Sequence, residues 1–205
     1  MARRKRRRKK ASSAPAAAAS AAAPGKKRRR AAVIVAIAAA GGIAWWGAAV
    51  SGSEAEFLAL AADGQAALSR VQTMPYEGTG HLSPGQSAHY RGDPPTSGAH
   101  DRNWIEPGFY DAPQLRSRLV HALEHGNVVI YYDRPDPATR ATLESWTSLF
   151  RGRWSGLVMT PGAGLGKTIV LTAWRRTLRL KQFDAAAAAA FIDRFRGLGP
   201  ERPVR

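Results

Sequence analysis

The stretch LVHALEHGNVVIYY, Leu119–Tyr132, decides the fold of this chain. Together with Leu115 just before it, Leu119 and Leu123 of this stretch recur at helical spacing, and Gly126 then provides a helix stop. The residues VVIYY that follow are β-branched or aromatic, as is typical of a buried strand. The stretch therefore predicts a helix that ends near Gly126 and leads directly into a strand inside the core.

The chain beyond this stretch predicts further helices and strands. Asp136 and Pro137 favour the start of a second helix, and residues 154–160 and 168–174 read as strands on either side of a Pro/Gly turn. Asp184 is a capping residue for a last helix that Gly197 ends. The order of these elements predicts an α+β fold, with a single sheet domain and flanking helices.

The segment before the first helix is rich in Gly, Pro, Ser, His and Asp. Residues 76–113 show no sustained periodicity, so we expect loops and turns with one short strand at residues 87–91. Asp111 or Ala112, followed by Pro113, resembles the helix start. A loop of this length is uncommon unless it is functional.

The positive charge lies almost entirely at the N-terminus. Of 31 basic residues in the chain, 13 fall within residues 1–30, which hold no acidic residue, and the rest of the chain carries a net charge of only +3. Such a segment cannot bury apolar surface, so residues 1–30 are predicted to be a disordered basic tail. Because the charge is confined to this tail, the domain has no need of a nucleic-acid partner, and the tail suits anionic lipid headgroups better.

Residues 31–50 predict a transmembrane helix. They contain no charged residue, and twenty helical residues span roughly the 30 Å of a bilayer core. The basic tail in front predicts a cytoplasmic N-terminus and an extracytoplasmic domain. A cleaved signal peptide is the alternative, but the apolar run exceeds the usual 7–15 residues, which favours an uncleaved single-pass anchor in the cell membrane. A juxtamembrane linker or helix (51–75), the domain (76–199) and a tail (200–205) follow.

The histidines are the candidates for chemistry. The chain has no cysteine, which excludes disulfides and thiolate sites, so a transition metal such as copper or zinc would need imidazole or carboxylate ligands. All five histidines fall within residues 81–125. On a helix His121 and His125 share one face, whereas on a strand they would lie about 13 Å apart.

Two short motifs suggest enzymes but lack the required context. PGAGLGKT, residues 161–168, has Pro161 where a Walker A loop needs a backbone N–H, and a strand follows it, so a plain hairpin turn is the better interpretation. His121-Ala-Leu-Glu124-His125 matches the inverted zinc-peptidase signature, but its helix ends at once and Glu201, in a Pro-rich tail, is an unconvincing third ligand. Ser97 lacks the strand and helix of a hydrolase nucleophile, and structural use of its hydroxyl is expected.

Four ordered motifs carry a resemblance to a known family. They are DPPTSGAH (93–100), WIEPGFY (104–110), LVHALEHGNVVIYY (119–132) and VLTAWRR (170–176). Over about residues 76–199 the chain resembles the bacterial domain of unknown function 3105 family, whose members are typically membrane or secreted proteins with one span before the domain. The resemblance implies the domain boundary and points to the motif residues, but it supplies no reaction. The matching positions are Pro94, Pro95, Thr96, Ser97, Gly98, His100, Trp104, His121, Leu123, Glu124, His125 and Gly126, with His81 upstream.

We therefore predict a transition-metal site, with copper or zinc as the ion. Its ligands are expected to be His100, His121 and His125, with His81 as a fourth ligand and Glu124 as a ligand or an orienting group; His89 looks incidental. A binding or envelope module is favoured over an enzyme. The alternatives are a metal-dependent hydrolase with Glu124 as general base, nucleic-acid or lipid binding by the tail, and a metal-free hydrogen-bonded network of the same histidines. The sequence identifies no protein partner or substrate.

Overall fold

The structure is a computed structural model that describes residues 54–205. Within this range the chain forms one sheet with helices on both faces. The elements are α1 (residues 54–63), a 3-10 helix (Gln65–Arg70), β1 (Gln72–Thr73), β2 (Gly108–Phe109), α2 (Arg116–Glu124), β3 (Val128–Tyr132), α3 (Pro137–Leu149), β4 (Leu157–Pro161), β5 (Ile169–Ala173), β6 (Arg176–Leu180) and α4 (Ala185–Phe195).

The described strands form a mixed sheet of six strands in the order β1-β6-β5-β3-β4-β2. β3 pairs parallel with β4 and antiparallel with β5, β2 pairs parallel with β4, and β6 pairs antiparallel with β5 and β1. A single sheet with flanking helices confirms the predicted α+β class. The parallel β3–β4 pair requires a crossover connection, and α3 provides it.

Strand β3 lies inside the sheet because its side chains are apolar on both faces. Val129 and Tyr131 pack against Leu119 and Leu123 of α2, while Ile130 on the other face packs in a core with residues of α1, α3 and α4. Among the described helices, α2 thus covers one face and the others cover the opposite face. This arrangement leaves the C-terminal end of α2 beside the long loop that precedes it.

The local signals at the helix ends are confirmed. The Asp136 carboxylate accepts a hydrogen bond from the Thr139 backbone N–H at 2.9 Å, and Asp184 accepts one from Ala187 N–H at 3.0 Å. Gly126 has a φ of +96°, a conformation that glycine adopts without the penalty a Cβ would impose. The stop after α2 is therefore a backbone requirement at that position.

Two predictions upstream of α2 are wrong. Residues 87–91 form no strand; the loop there is held by the Glu77 carboxylate, which accepts from the Arg91 backbone N–H at 2.7 Å. Helix α2 begins at Arg116 instead of beside Pro113. The Gln114 backbone N–H donates to Thr160 Oγ1 at 3.1 Å, which ties this segment to β4 before the helix begins.

The segment PGAGLGKT is a connection, and the prediction of a hairpin turn is wrong. β4 and β5 are both present but are not neighbours, because β3 lies between them. β5 forms a hairpin with β6, the next strand in the sequence. The tight turn between them lies at Trp174 and Arg175, and Arg175 has a φ of +58°. β6 was not predicted because its alternating RTLRL pattern is short and carries two arginines.

The predicted tail and membrane span lie outside the described residues. Within residues 54–205, none of the helices has both the length and the apolar character needed to cross a bilayer. In α1, part of the predicted juxtamembrane segment, Phe57 and Ala61 are buried in the core. At the other end of the chain, the Val204 backbone N–H donates to Gly197 O at 2.8 Å, so the last residues lie against the domain.

Candidate metal centre

Four of the five histidines converge at the C-terminal end of α2. The ring centroids of His81 and His121 are 5.0 Å apart, those of His100 and His121 are 4.8 Å apart, and those of His121 and His125 are 4.6 Å apart. The side chains of His100, His121 and His125 are buried, whereas His81 is exposed. His89 is exposed and belongs to neither group of candidate ligands, as the sequence suggested.

The backbone of the long loop presents its two histidines side by side. His81 and His100 form a parallel β-bridge, in which the Leu82 N–H donates to His100 O at 2.7 Å and the His100 N–H donates to Gly80 O at 3.0 Å. The turn before His100 is anchored by Ser97, whose hydroxyl accepts from the Glu77 N–H at 3.0 Å. The Ser97 hydroxyl thus has the structural role that the sequence predicted. Hydrogen bonds within the loop hold His81 and His100 next to each other.

Backbone carbonyls select the tautomer of two of the buried rings. His100 Nδ1 lies 2.8 Å from Gly98 O, and His121 Nδ1 lies 2.8 Å from Asp101 O. A carbonyl oxygen only accepts, so each Nδ1 carries the hydrogen and each Nε2 of the neutral ring keeps its lone pair. Metal-binding histidines almost always donate their other ring N–H in this way. Both rings are thus oriented with Nε2 as the available ligand atom.

The Nε2 atom of His100 is buried and has no hydrogen-bond partner among the described residues. Glu124 Oε2 lies 3.0 Å from it but not in hydrogen-bonding geometry. A buried ring nitrogen without a partner is unfavourable, and a proton or a metal cation at this position would satisfy it.

Two groups of candidate ligands meet at His121. One consists of His81, His100 and His121, and the other of His121, His125 and Glu201; within each group the ligand atoms lie within 4.8 Å of one another. Two nitrogens on one zinc ion at about 2.0–2.1 Å lie roughly 3.4 Å apart, a separation that falls within this limit. Of the predicted ligands, His100 and His125 fall in different groups, and Glu124 falls in neither.

Burial favours the neutral form of the three buried imidazoles. Desolvation lowers the pKa of His100 and of His121, and burial together with the neighbouring His121 lowers the pKa of His125 to about 4. Burial and the nearby Glu201 charge raise the pKa of the Glu124 carboxyl. Neutral imidazoles have the free lone pairs that zinc and copper require.

Glu201 is the ligand candidate that the sequence did not favour. Its Oε2 lies 3.1 Å from His125 Nε2 and 4.0 Å from His121 Nε2. The C-terminal segment reaches the end of α2 because the Gly197 N–H donates to Gly126 O at 2.8 Å and the Glu201 N–H donates to Glu124 O at 3.3 Å. No local sequence signal connects Glu201 with α2, because the two are far apart in the sequence.

Two tryptophans shield one side of the site. The Trp154 ring lies 4.2 Å from the His125 ring, and the Trp104 ring lies 4.9 Å from His125 and 5.6 Å from His121, all between centroids. These indoles cover the buried histidines on one side, whereas the exposed His81 and Glu201 lie on the solvent side.

Comparison with known proteins finds one family. The model of the family described as "Protein of unknown function (DUF3105)" matches residues 81–204, which include every candidate ligand described above. No curated protein and no solved structure matches the chain.

Proposed function

The chain belongs to the DUF3105 family of proteins of unknown function, and we propose from its site that it binds one divalent transition-metal ion, zinc or copper(II). The observation that carries the proposal is the pair of buried rings, His100 and His121, whose Nδ1 atoms are taken by backbone carbonyls. Their Nε2 lone pairs are held close to a third imidazole, that of His81. Imidazole ligands without thiolates suit both ions.

Binding is a better account of the site than hydrolysis. A hydrolase would use Glu124 as general base, and its raised pKa is in keeping with that role. However, Glu124 Oε2 contacts Nε2 of His100, a proposed ligand, at 3.0 Å. A carboxylate that lies against a ligand of the ion balances the charge of the ion, and the described part of the chain gives no separate position for a reacting water molecule. We therefore propose a metal-binding module rather than an enzyme.

Metal should stabilise the protein with a stoichiometry of one ion per chain. The two groups of ligands share His121, and its single Nε2 lone pair cannot serve two ions at once. A ligand at 100 times its dissociation constant contributes about 2.7 kcal/mol. For a domain of this size that raises the melting temperature by roughly 5–10 °C.

The measurement uses the full chain, without a polyhistidine tag, in mild detergent. After chelation, thermal unfolding is followed with zinc, copper(II) or magnesium, and bound metal is counted by native mass spectrometry. Zinc or copper should raise the melting temperature and magnesium should not. The variant His89→Ala, which alters an exposed histidine outside both groups, should match the wild type. The proposal is contradicted if neither zinc nor copper(II) changes the melting temperature, or if two ions bind tightly to each chain.

We also propose that residues 31–50 anchor the protein in the cell membrane with the domain on the extracytoplasmic side. The proposal rests on the uncharged segment and on the 13 basic residues before it, which suit the cytoplasmic leaflet and its anionic headgroups. We expect the protein to resist carbonate extraction and to be cleaved by protease added to spheroplasts. Release as a soluble species, or protection of the domain in spheroplasts, would contradict the anchor or its orientation.

A further inference from the structure

A cleft lies at the end of α2 opposite the histidines. Arg116 at the start of α2 lines this cleft, whereas His121 lies in the last turn of the helix. The other walls come from the turn at Pro94 and Pro95 and from the connection between β4 and β5, and the cleft has a volume of about 460 Å³. This volume lies within the range of small-molecule sites.

The ring of Tyr131 forms part of the floor of the cleft. Tyr131 lies on β3 and its side chain is buried. Its hydroxyl oxygen is enclosed by protein atoms, with Thr172 beside it, so a ligand in the cleft would contact the ring and not the hydroxyl. The floor of the cleft is therefore apolar.

The rim of the cleft is positively charged. Arg116 and Arg179 both line it, against a single carboxylate, that of Asp93. Arg116 Nη2 lies 3.2 Å from Asp93 Oδ1 and donates to Gly92 O at 3.0 Å, while Arg179 Nη2 donates to Asp93 O. Each guanidinium has five N–H donors, so most of them remain available to a ligand after these contacts. Asp93 is largely solvated, which weakens its hold on Arg116.

The first turn of α2 adds to this positive potential. Among residues 54–205 no side chain caps the helix at Leu115, and its first turn contains no acidic residue. The N-terminal N–H groups of a helix carry partial positive charge, which favours a nearby anion. This feature adds to the charge of the two guanidiniums, which are the main argument for an anionic ligand.

The remaining walls are apolar and pre-formed. Pro94, Pro95, Leu119 and Leu165 contribute apolar surface to the cleft. The connection that carries Leu165 is held in place, because the Gly166 N–H donates to Asp133 Oδ2 at 2.9 Å and the Thr168 N–H donates to Leu165 O at 2.9 Å. A rigid wall lowers the entropic cost of binding a ligand.

We propose that this cleft binds a small organic monocarboxylate with an apolar body. The guanidiniums of Arg116 and Arg179 hold the carboxylate at the rim, and the prolines, the leucines and the ring of Tyr131 contact the apolar body. The inference is independent of the metal site, since it uses none of the histidines.

The test compares benzoate with its neutral analogue benzamide on the full chain in detergent, by titration calorimetry and ligand-observed NMR. Benzoate should bind in the micromolar to millimolar range and benzamide at least about 10-fold more weakly, because a guanidinium binds a charged carboxylate more strongly than a neutral amide. Arg179→Gln should weaken benzoate binding about 10-fold for the same reason. The control Arg151→Gln alters an exposed arginine outside the cleft and should change nothing.

Equal binding of benzoate and benzamide, no benzoate binding at millimolar concentration, or binding of inorganic phosphate alone would each overturn the proposal. Melting temperatures of the variants establish that each is folded.

Discussion

Replacing His121 by alanine will abolish the stabilisation of the protein by zinc or copper. His121 is the residue that the two groups of ligands share, so its loss leaves two ligands in each. Changes to groups that merely orient a ligand weaken metal binding 10–100-fold, and removal of a ligand should weaken it at least about 100-fold. The measurement is the metal-dependent change in melting temperature, together with a competition titration against a chelator.

The His121→Ala variant will also lose stability without metal, because Asp101 O loses the N–H that it accepts. Metal affinity must therefore be compared with each variant's own chelated form. Substitutions at two exposed ligands, His81 and Glu201, distinguish the two groups with little effect on folding. If the ion binds to His81, His100 and His121, His81→Ala weakens metal binding and Glu201→Ala does not. If it binds to the group that contains Glu201, Glu201→Ala weakens metal binding and His81→Ala does not. Undiminished metal binding by His121→Ala would refute both arrangements.

Replacing Gly199 by alanine will destabilise the protein and release the C-terminal segment from α2. A Cβ at this position would lie 2.2 Å from both Glu124 O and Gly126 N, and 2.5 Å from His125 C. These are backbone atoms at the end of a helix, so no side chain can rotate to relieve the clash. Forced overpacking of this kind costs about 1–3 kcal/mol. The melting temperature of the chelated protein should fall by roughly 2–10 °C.

The neighbouring substitution Leu198→Ala is the matched control. Leu198 is exposed, and substitutions at such positions usually change stability by less than about 0.5 kcal/mol. Because Glu201 reaches His125 through the same segment, Gly199→Ala should also remove the contribution of Glu201 to the site. A Gly199→Ala variant as stable as the wild type would show that the segment does not pack against the end of α2 as described.

The parts of the fold that the sequence predicted correctly depend on neighbours along the chain. Asp136 and Asp184 cap helices because each carboxylate reaches a backbone N–H three residues away. Gly126 ends α2 through its own φ. The strand VVIYY is apolar on both faces, which is sufficient to place it inside a sheet. These signals predicted the α+β class without any knowledge of tertiary contacts.

The errors concern interactions between distant residues. β5 pairs with β3 and β6 instead of with β4. Such pairing joins segments that are far apart in the sequence, and the residues of the connection between β4 and β5 do not specify it. Helix α2 begins later than predicted for a similar reason. The Gln114 backbone N–H donates to Thr160, which lies 46 positions away in the sequence.

The sequence by itself determined which residues are available for metal binding: four histidines near one helix, a glutamate beside them and no cysteine. Only the tertiary structure decided how they are grouped. It placed His100 beside His81 through a backbone bridge, divided the ligands into two groups around His121, and brought in Glu201 from the end of the chain. The physical reason is that residue type and helical spacing are local properties, whereas the distance between ligand atoms depends on how loops and chain ends pack against α2, which is the sum of many weak contacts distributed along the chain.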